Sequence, residues 1–247
     1  MIIMILGMHR SGTSTIAGVM HMNKIIMGTY QNFWPRPLLQ NPKGFYENYD
    51  FRKINDDLLK KSSYDVKSYK TDIPEIQVST RLQGKIKKLI IESNKLYDDW
   101  GWKDPRTCLT AIHWVDMIRE LGLIDNLKIV FVIRKASSVA RSLNKRNNLP
   151  YVQGMKLWKH YNKRAYKFSI NSKLPTFYCS FEDLLDNPKS LCRNLFQFLH
   201  KKEWNPNIIE KFIDKSISKS ARGDKIEYSL EIKDLEKEMY SRINNQL

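Results

Sequence analysis

The chain has 247 residues, 42% hydrophobic and 28% charged, a balance that suits a folded protein with a sizeable core and excludes a disordered one. Lysine and arginine number 42 against 26 aspartates and glutamates, a formal charge of +16 that favours an anionic partner: a polyphosphate-like cofactor, an acidic glycan, an anionic membrane surface or nucleic acid. Cys108, Cys179 and Cys192 show no paired spacing and read as reduced thiols, and the five histidines form no Cys/His cluster of the kind that holds zinc. No apolar run approaches the ~18 residues of a membrane span, and the opening MIIMIL lacks the basic flank of a secretory signal, so a cytoplasmic location is expected. The length suits a single domain over 1–247, with a charged helical tail from about residue 224.

IIMIL at 2–6 reads as a buried strand, and GMHRSGTS at 7–14 leads from it into a helix over 13–22. KIIMG at 24–28 is a weaker strand candidate, and Asn41-Pro42 with Gly44 marks a turn before a helix near 49–61. Residues 79–97 place Leu82, Ile86, Leu89, Ile90 and Leu96 largely on one helical face. WGW before Lys103 is a short strand that Pro105 must end, leaving Lys103 near a site mouth and Thr107 to cap a helix over 107–120. KIVFVI at 128–133 is another buried strand, followed by helices near 136–146 and 151–169. The second of these turns Trp158, Tyr161 and Ala165 inward and Lys156, Lys159, Lys163, Arg164 and Lys167 outward, as a solvated face or a docking surface for an anionic polysaccharide or lipid headgroup. TFYCSF at 176–181 is a strand, Asn187-Pro188 opens a helix to about Leu199, and EYSLEIKDLEKEMYSRI reads as a peripheral amphipathic helix.

Strands alternating with helices predict an α/β fold, a three-layer α/β/α arrangement around a mostly parallel sheet. Ligands of such sheets bind beyond the carboxyl ends of the strands, so chemistry is expected after residues 6, 103, 133 and 180. The first of these segments is an anion loop by construction: strand, glycine turn and helix start aim free amides and the helix dipole at one spot. It is nearly a nucleoside-triphosphate loop, G-x-x-x-x-G-K-[ST], but Thr13 stands where the lysine belongs. The usual triphosphate–magnesium arrangement is therefore disfavoured. Thr13 and Ser14 supply hydroxyls, and Arg10 supplies a planar fork for two oxygens of one anion.

Gly7-Met8-His9-Arg10-Ser11-Gly12-Thr13-Ser14 resembles the 5′-phosphosulfate loop of sulfotransferases that use 3′-phosphoadenosine 5′-phosphosulfate (PAPS). Those enzymes pair the loop with an arginine at a strand end and a serine eight positions later, which hold the cofactor's 3′-phosphate. Here the pair is Arg134 and Ser142. WGWKDPRT at 100–107 resembles the Lys-Asp-Pro segment of protein-tyrosine and bacterial-type carbohydrate sulfotransferases. NPKGFYEN at 41–48 resembles a segment of bacterial members, and FIDKSISKSARG at 212–223 resembles the family's late basic loop over the nucleotide.

The resemblance implies a P-loop NTPase-like sulfotransferase fold and PAPS as donor, with adenosine 3′,5′-bisphosphate as product and no metal. It assigns Gly7, His9, Arg10, Ser11, Gly12, Thr13, Ser14, Arg134 and Ser142 to the cofactor, and Arg10 and Lys103 to developing charge. It also implies a Glu or His base soon after the first helix. Glu47, the only acidic residue between Arg10 and Asp50, is the choice, with His9, Asp104 and His113 as reserves. The acceptor is expected to be a hydroxyl, most naturally on a glycan, bound by loops within 29–48, 62–78 and 147–160. Two rivals stay open. One is a kinase-like phosphotransferase, although FVIRK ends in cations where such an enzyme needs an aspartate. The other is a non-enzymatic anion or nucleic-acid binder, although no nucleic-acid-binding pattern is present and no nucleic acid is expected.

Overall fold

The computed structural model describes residues 1–38, 41–213, 227–244 and 246. In chain order the strands are β1 (Ile2–Leu6), β2 (Trp100–Lys103), β3 (Leu127–Ile133) and β4 (Thr176–Ser180). The first helices are α1 (Thr13–Met22), α2 (Tyr49–Lys61), α3 (Thr80–Leu96), α4 (Thr107–Glu120) and α5 (Ala136–Asn147). After them come α6 (Tyr151–Asn171), α7 (Phe181–Asp186), α8 (Pro188–Phe198), α9 (Asn207–Phe212) and α10 (Leu230–Asn244).

All pairings in the sheet are parallel and the strand order is β2-β1-β3-β4. Every residue of β1 is buried because alternate side chains enter two different cores. Ile2, Met4 and Leu6 pack with Phe51, Trp100, Trp102 and Trp114 on one face. Ile3 and Ile5 pack with Ile16, Val19 and Met20 of α1 and with α8 on the other. Helices therefore cover both faces, and α1 and α5 leave the neighbouring strands β1 and β3 toward opposite sides. That divergence opens a crevice at the carboxyl ends of β1 and β3, the topological switch point where α/β sheets bind ligands.

Several expectations need correction. Residues 24–28 form no strand: positive φ at Lys24 and Gly28 brackets them, and only Ile26 bridges to Trp100. The strand expected over 176–181 stops at Ser180, whose Oγ accepts a hydrogen bond from Asp183 N (2.9 Å) and so caps the short α7. Thr107 does not cap α4; its Oγ1 accepts from Asn55 and Trp102 instead. On α3, Leu82, Ile86 and Ile90 are buried, but Leu96 is exposed.

The C-terminal helix is not peripheral. Ile232 and Met239 of α10 are buried against the α6 side of the core, and Glu231 pairs with both Lys159 (2.8 Å) and Lys163 (3.3 Å). Gln246 then satisfies the backbone of Tyr178 on edge strand β4, accepting from its N–H and donating to its carbonyl. The basic face of α6 is thus partly neutralised from within the chain. Cys108, Cys179 and Cys192 are free and buried, and among the described residues no helix is long and apolar enough to cross a membrane.

Candidate active site

The loop between β1 and α1 has a backbone that few sequences tolerate. Gly7 adopts φ 151, and a Cβ there would lie 2.5 Å from Thr13 Cγ2 and 2.7 Å from the Val132 carbonyl. Gly12 adopts φ 88, and a Cβ would strike the Phe181 ring at 2.3 Å. Between them the Ser11 N–H closes a turn onto the Met8 carbonyl (3.2 Å) and Arg10 takes φ 70. Among the described residues no side chain caps α1 and no acid stands in its first turn; the Thr15 N–H turns back to the Gly12 carbonyl (3.0 Å), and the amides ahead of it have no side-chain partner. The Ser11 hydroxyl is buried with no hydrogen-bond partner among the described residues.

Arg134 and Ser142 meet at this loop, both on the residue between the two glycine turns. Arg134 Nη1 donates to the Arg10 carbonyl (2.7 Å), and Arg10 Nε donates to Ser142 Oγ (2.8 Å). The Arg134 guanidinium lies 4.0 Å from the centre of the Phe181 ring, a cation–π contact that holds it flat. Burial pushes its pKa down to about 10, partly countered by Glu182, so it stays charged at neutral pH.

Lys103 ends β2 on the other side of the loop. It is not at an open mouth as expected: only 2% of it is exposed, and it lies in the floor of the cleft. Its Nζ donates to Glu47 Oε1 (2.8 Å) and to Ser14 Oγ (3.2 Å). Glu47 is fixed by its own backbone, whose carbonyl accepts from Trp34 N (2.9 Å), and Asn48 rather than Glu47 caps α2. The neighbouring strand thus brings an ammonium group to a loop whose own sequence has no lysine.

The other candidates separate. Asp104 is wholly buried; burial works to raise its pKa, but Arg106 and the Asn55 amide outweigh it and hold the carboxyl below its usual range. It anchors the Lys-Asp-Pro-Arg turn and lines neither of the two cavities near the loop. His113 sits on α4 and lines neither of the two cavities near the loop. His9 lines both; burial, then the cations around it led by Arg106, push it down to about 3, so it is neutral in ordinary buffers.

These groups enclose a cleft of about 180 Å³ over the loop. Its walls come from the segments after all four strands: His9, Arg10 and Gly12 to Thr15, Pro105, Arg134, and Phe181 with Leu184. Residues 41–45 and Phe212 close it, while the stretch 214–223 of the expected late basic loop lies outside the described residues. Sequence reasoning missed Phe181, Arg106 and Arg146. Phe181 was legible only as the residue after the fourth strand, and Arg106, which pairs with Asp56 (2.7 Å) and Asp104 (2.8 Å), only as part of the Lys-Asp-Pro-Arg turn.

No family model matches the sequence, and no curated protein matches it. Among solved structures the fold matches a sulfotransferase domain from the curacin biosynthetic pathway, with a TM-score of 0.55 over 96% of both chains and 16% sequence identity. The likeness is one of fold and runs through the whole chain.

Proposed function

We propose that this protein is a PAPS-dependent sulfotransferase that modifies an acceptor hydroxyl, most naturally on a carbohydrate. The observation that carries the reading is the convergence on one loop of uncapped amides, the Arg134–Ser142 pair and a buried Lys103–Glu47 pair. The residues fit such a donor. The orphaned Ser11 hydroxyl and the free first turn of α1 suit a 5′-phosphate, and Arg134 with Ser142 suits a second phosphate across the crevice. Phe181 offers a flat apolar wall between them.

When bound, the donor supplies a sulfuryl group that passes to the acceptor oxygen as its bond to the 5′-phosphate breaks. The chain's task is to position groups and to stabilise charge. Glu47 takes the acceptor proton; Lys103 orients it through Oε1, and Oε2 has no hydrogen bond among the described residues. Lys103 also places a fixed positive charge on Ser14 Oγ, the hydroxyl that holds magnesium in triphosphate loops. That contact favours a metal-free reaction over a kinase-like one. Arg10 is tied to Ser142 and must leave it to face charge on the departing phosphate.

The test needs no acceptor. Adenosine 3′,5′-bisphosphate without magnesium should stabilise the protein far more than ADP does, because only the former offers Arg134 and Ser142 a phosphate. A ligand at 100 times its Kd adds about 2.7 kcal/mol, and each kcal/mol moves the melting midpoint of a chain this size by roughly 2–4 °C, so a shift of about 5–10 °C is expected. Arg134→Ala should largely abolish the preference. Equal shifts with ADP, or stabilisation only by ATP with magnesium, would overturn the reading.

A further inference from the structure

A second cavity, of about 220 Å³, lies on the other side of His9 and Arg10 from the cleft described above. Met8, His9 and Arg10 form its inner wall, so the two spaces adjoin at the loop. Its remaining walls come from the segment between α2 and α3, with Lys67 and Tyr69, and from α5 and α6, with Arg146 and Tyr161. Every ionisable group lining it other than the tyrosines is basic, and no carboxylate lines it among the described residues.

The cations are not equivalent. Arg106 is neutralised by Asp56 and Asp104, and Arg10 is tied to Ser142. Lys67 and Arg146 are exposed and have no acidic partner among the described residues, and Arg146 lines both cavities. His9 Nε2 is buried with no hydrogen-bond partner among the described residues, in the wall common to both spaces. Uncompensated like charge in a concave site is unfavourable until an anion fills it. The crowding is felt by its neighbours: Arg10 is shifted down by burial and then by Arg146.

We propose that this cavity holds the acceptor, and that the acceptor is an anionic sugar whose carboxylate or sulfate ester is bound by Lys67 and Arg146. The inference rests on the transferase reading and deepens it by naming the class of acceptor. Tyr69 gives the sugar ring a flat wall with a polar tip, and the buried Tyr161, edge-on to His9 with ring centres 5.7 Å apart, backs that side of the cavity. His9, neutral and with Nε2 unpaired among the described residues, offers a hydrogen bond to the ring substituents as they pass toward the Lys103–Glu47 pair. An anion anchored at Arg146 leaves the rest of the sugar to reach across His9 into the cleft.

Calorimetric titration of the full chain with three matched disaccharides tests this: cellobiose, its uronic acid form, and its monosulfate ester, each with and without adenosine 3′,5′-bisphosphate. At least one anionic sugar should bind at least tenfold more tightly than cellobiose, and the tighter of the two identifies the anion. Lys67→Gln and Arg146→Gln should each weaken that sugar by about tenfold, the scale of one charge-assisted hydrogen bond, and leave cellobiose unchanged. Lys167→Gln, an exposed lysine outside both cavities, should change nothing. Equal affinity for all three sugars, or equal losses in the Lys167 variant, would overturn the inference while leaving the transferase reading intact. The reverse pattern, anion selectivity with no preference for the 3′-phosphorylated nucleotide, would sink the transferase reading instead.

Discussion

Lys103 and Glu47 are 2.8 Å apart and nearly sealed from solvent, so neither can be removed without leaving an uncompensated charge in the floor of the cleft. Breaking one side of a buried pair costs about 3–5 kcal/mol, whereas replacing both members by neutral groups of similar volume is often nearly harmless. Lys103→Met alone is therefore expected to lose stability and turnover together. Glu47→Gln combined with Lys103→Met should recover most of the stability in urea unfolding and none of the turnover. A double variant that stays as unstable as the single one would show that the pair is not what holds this floor. Arg10→Ala differs, because Arg10 is half-buried and, among the described residues, its side chain is hydrogen-bonded only through Nε to Ser142. Its loss should leave the unfolding midpoint nearly unchanged and lower turnover by about 10²–10³-fold, the effect of removing one charge-stabilising donor. Steady-state kinetics with a competent acceptor reads it directly.

At the scale of elements, α5 is held at its start by a residue a hundred positions away. Glu236 of α10 accepts from the Ala136 N–H (2.7 Å), the role a local cap plays elsewhere, and α5 has neither a side-chain cap of its own nor an acid in its first turn. Tyr228 donates to the other oxygen of the same carboxylate (3.1 Å). Since α5 carries Ser142 and Arg146, the C-terminal helix steadies one wall of both cavities. Glu236→Ala should cost about 1 kcal/mol, as the loss of a cap does, and lower the melting midpoint by roughly 2–4 °C. An unchanged midpoint would remove α10 from that role. None of this docking was legible in the sequence, where α10 shows only one apolar stripe through Ile232 and Met239 and nothing names its partner. The loop, Arg134, Ser142, Lys103 and Glu47 were legible because each lies in a short contiguous motif at a strand end or just before a helix. The segment 62–78 was legible as an acceptor loop, but Lys67 and Tyr69 within it were not singled out and Arg146 lay outside every expected loop, because distant segments bring the three together only through packing. The short α7 escaped for a different reason: six residues are too few for a helical period, and only its Ser-x-x-Asp start betrays it.

For the whole molecule, the surplus of 42 basic over 26 acidic groups meets a set of histidines that the fold keeps neutral. Burial lowers the pKa of His9, His21, His113 and His160; it takes His9 furthest, to about 3. In the unfolded chain each would titrate near its ordinary ~6.5. Between those values the unfolded state binds more protons than the folded one, so stability rises with pH and is lost as pH falls from about 6.5 toward the folded-state values. The carboxylates also destabilise in acid, but for a group such as Asp104, held below its ordinary range, that loss begins only below about 4. The interval from about pH 6.5 to 5 therefore isolates the histidines, and every proton taken up there adds to a chain already at +16. Urea midpoints should fall across that interval. In His9→Gln, where the amide keeps a polar group at the wall of both cavities but cannot be protonated, the fall should be visibly shallower. A variant with the wild-type slope would show that His9 is not held neutral in the folded protein, and would return it to contention as the base in place of Glu47.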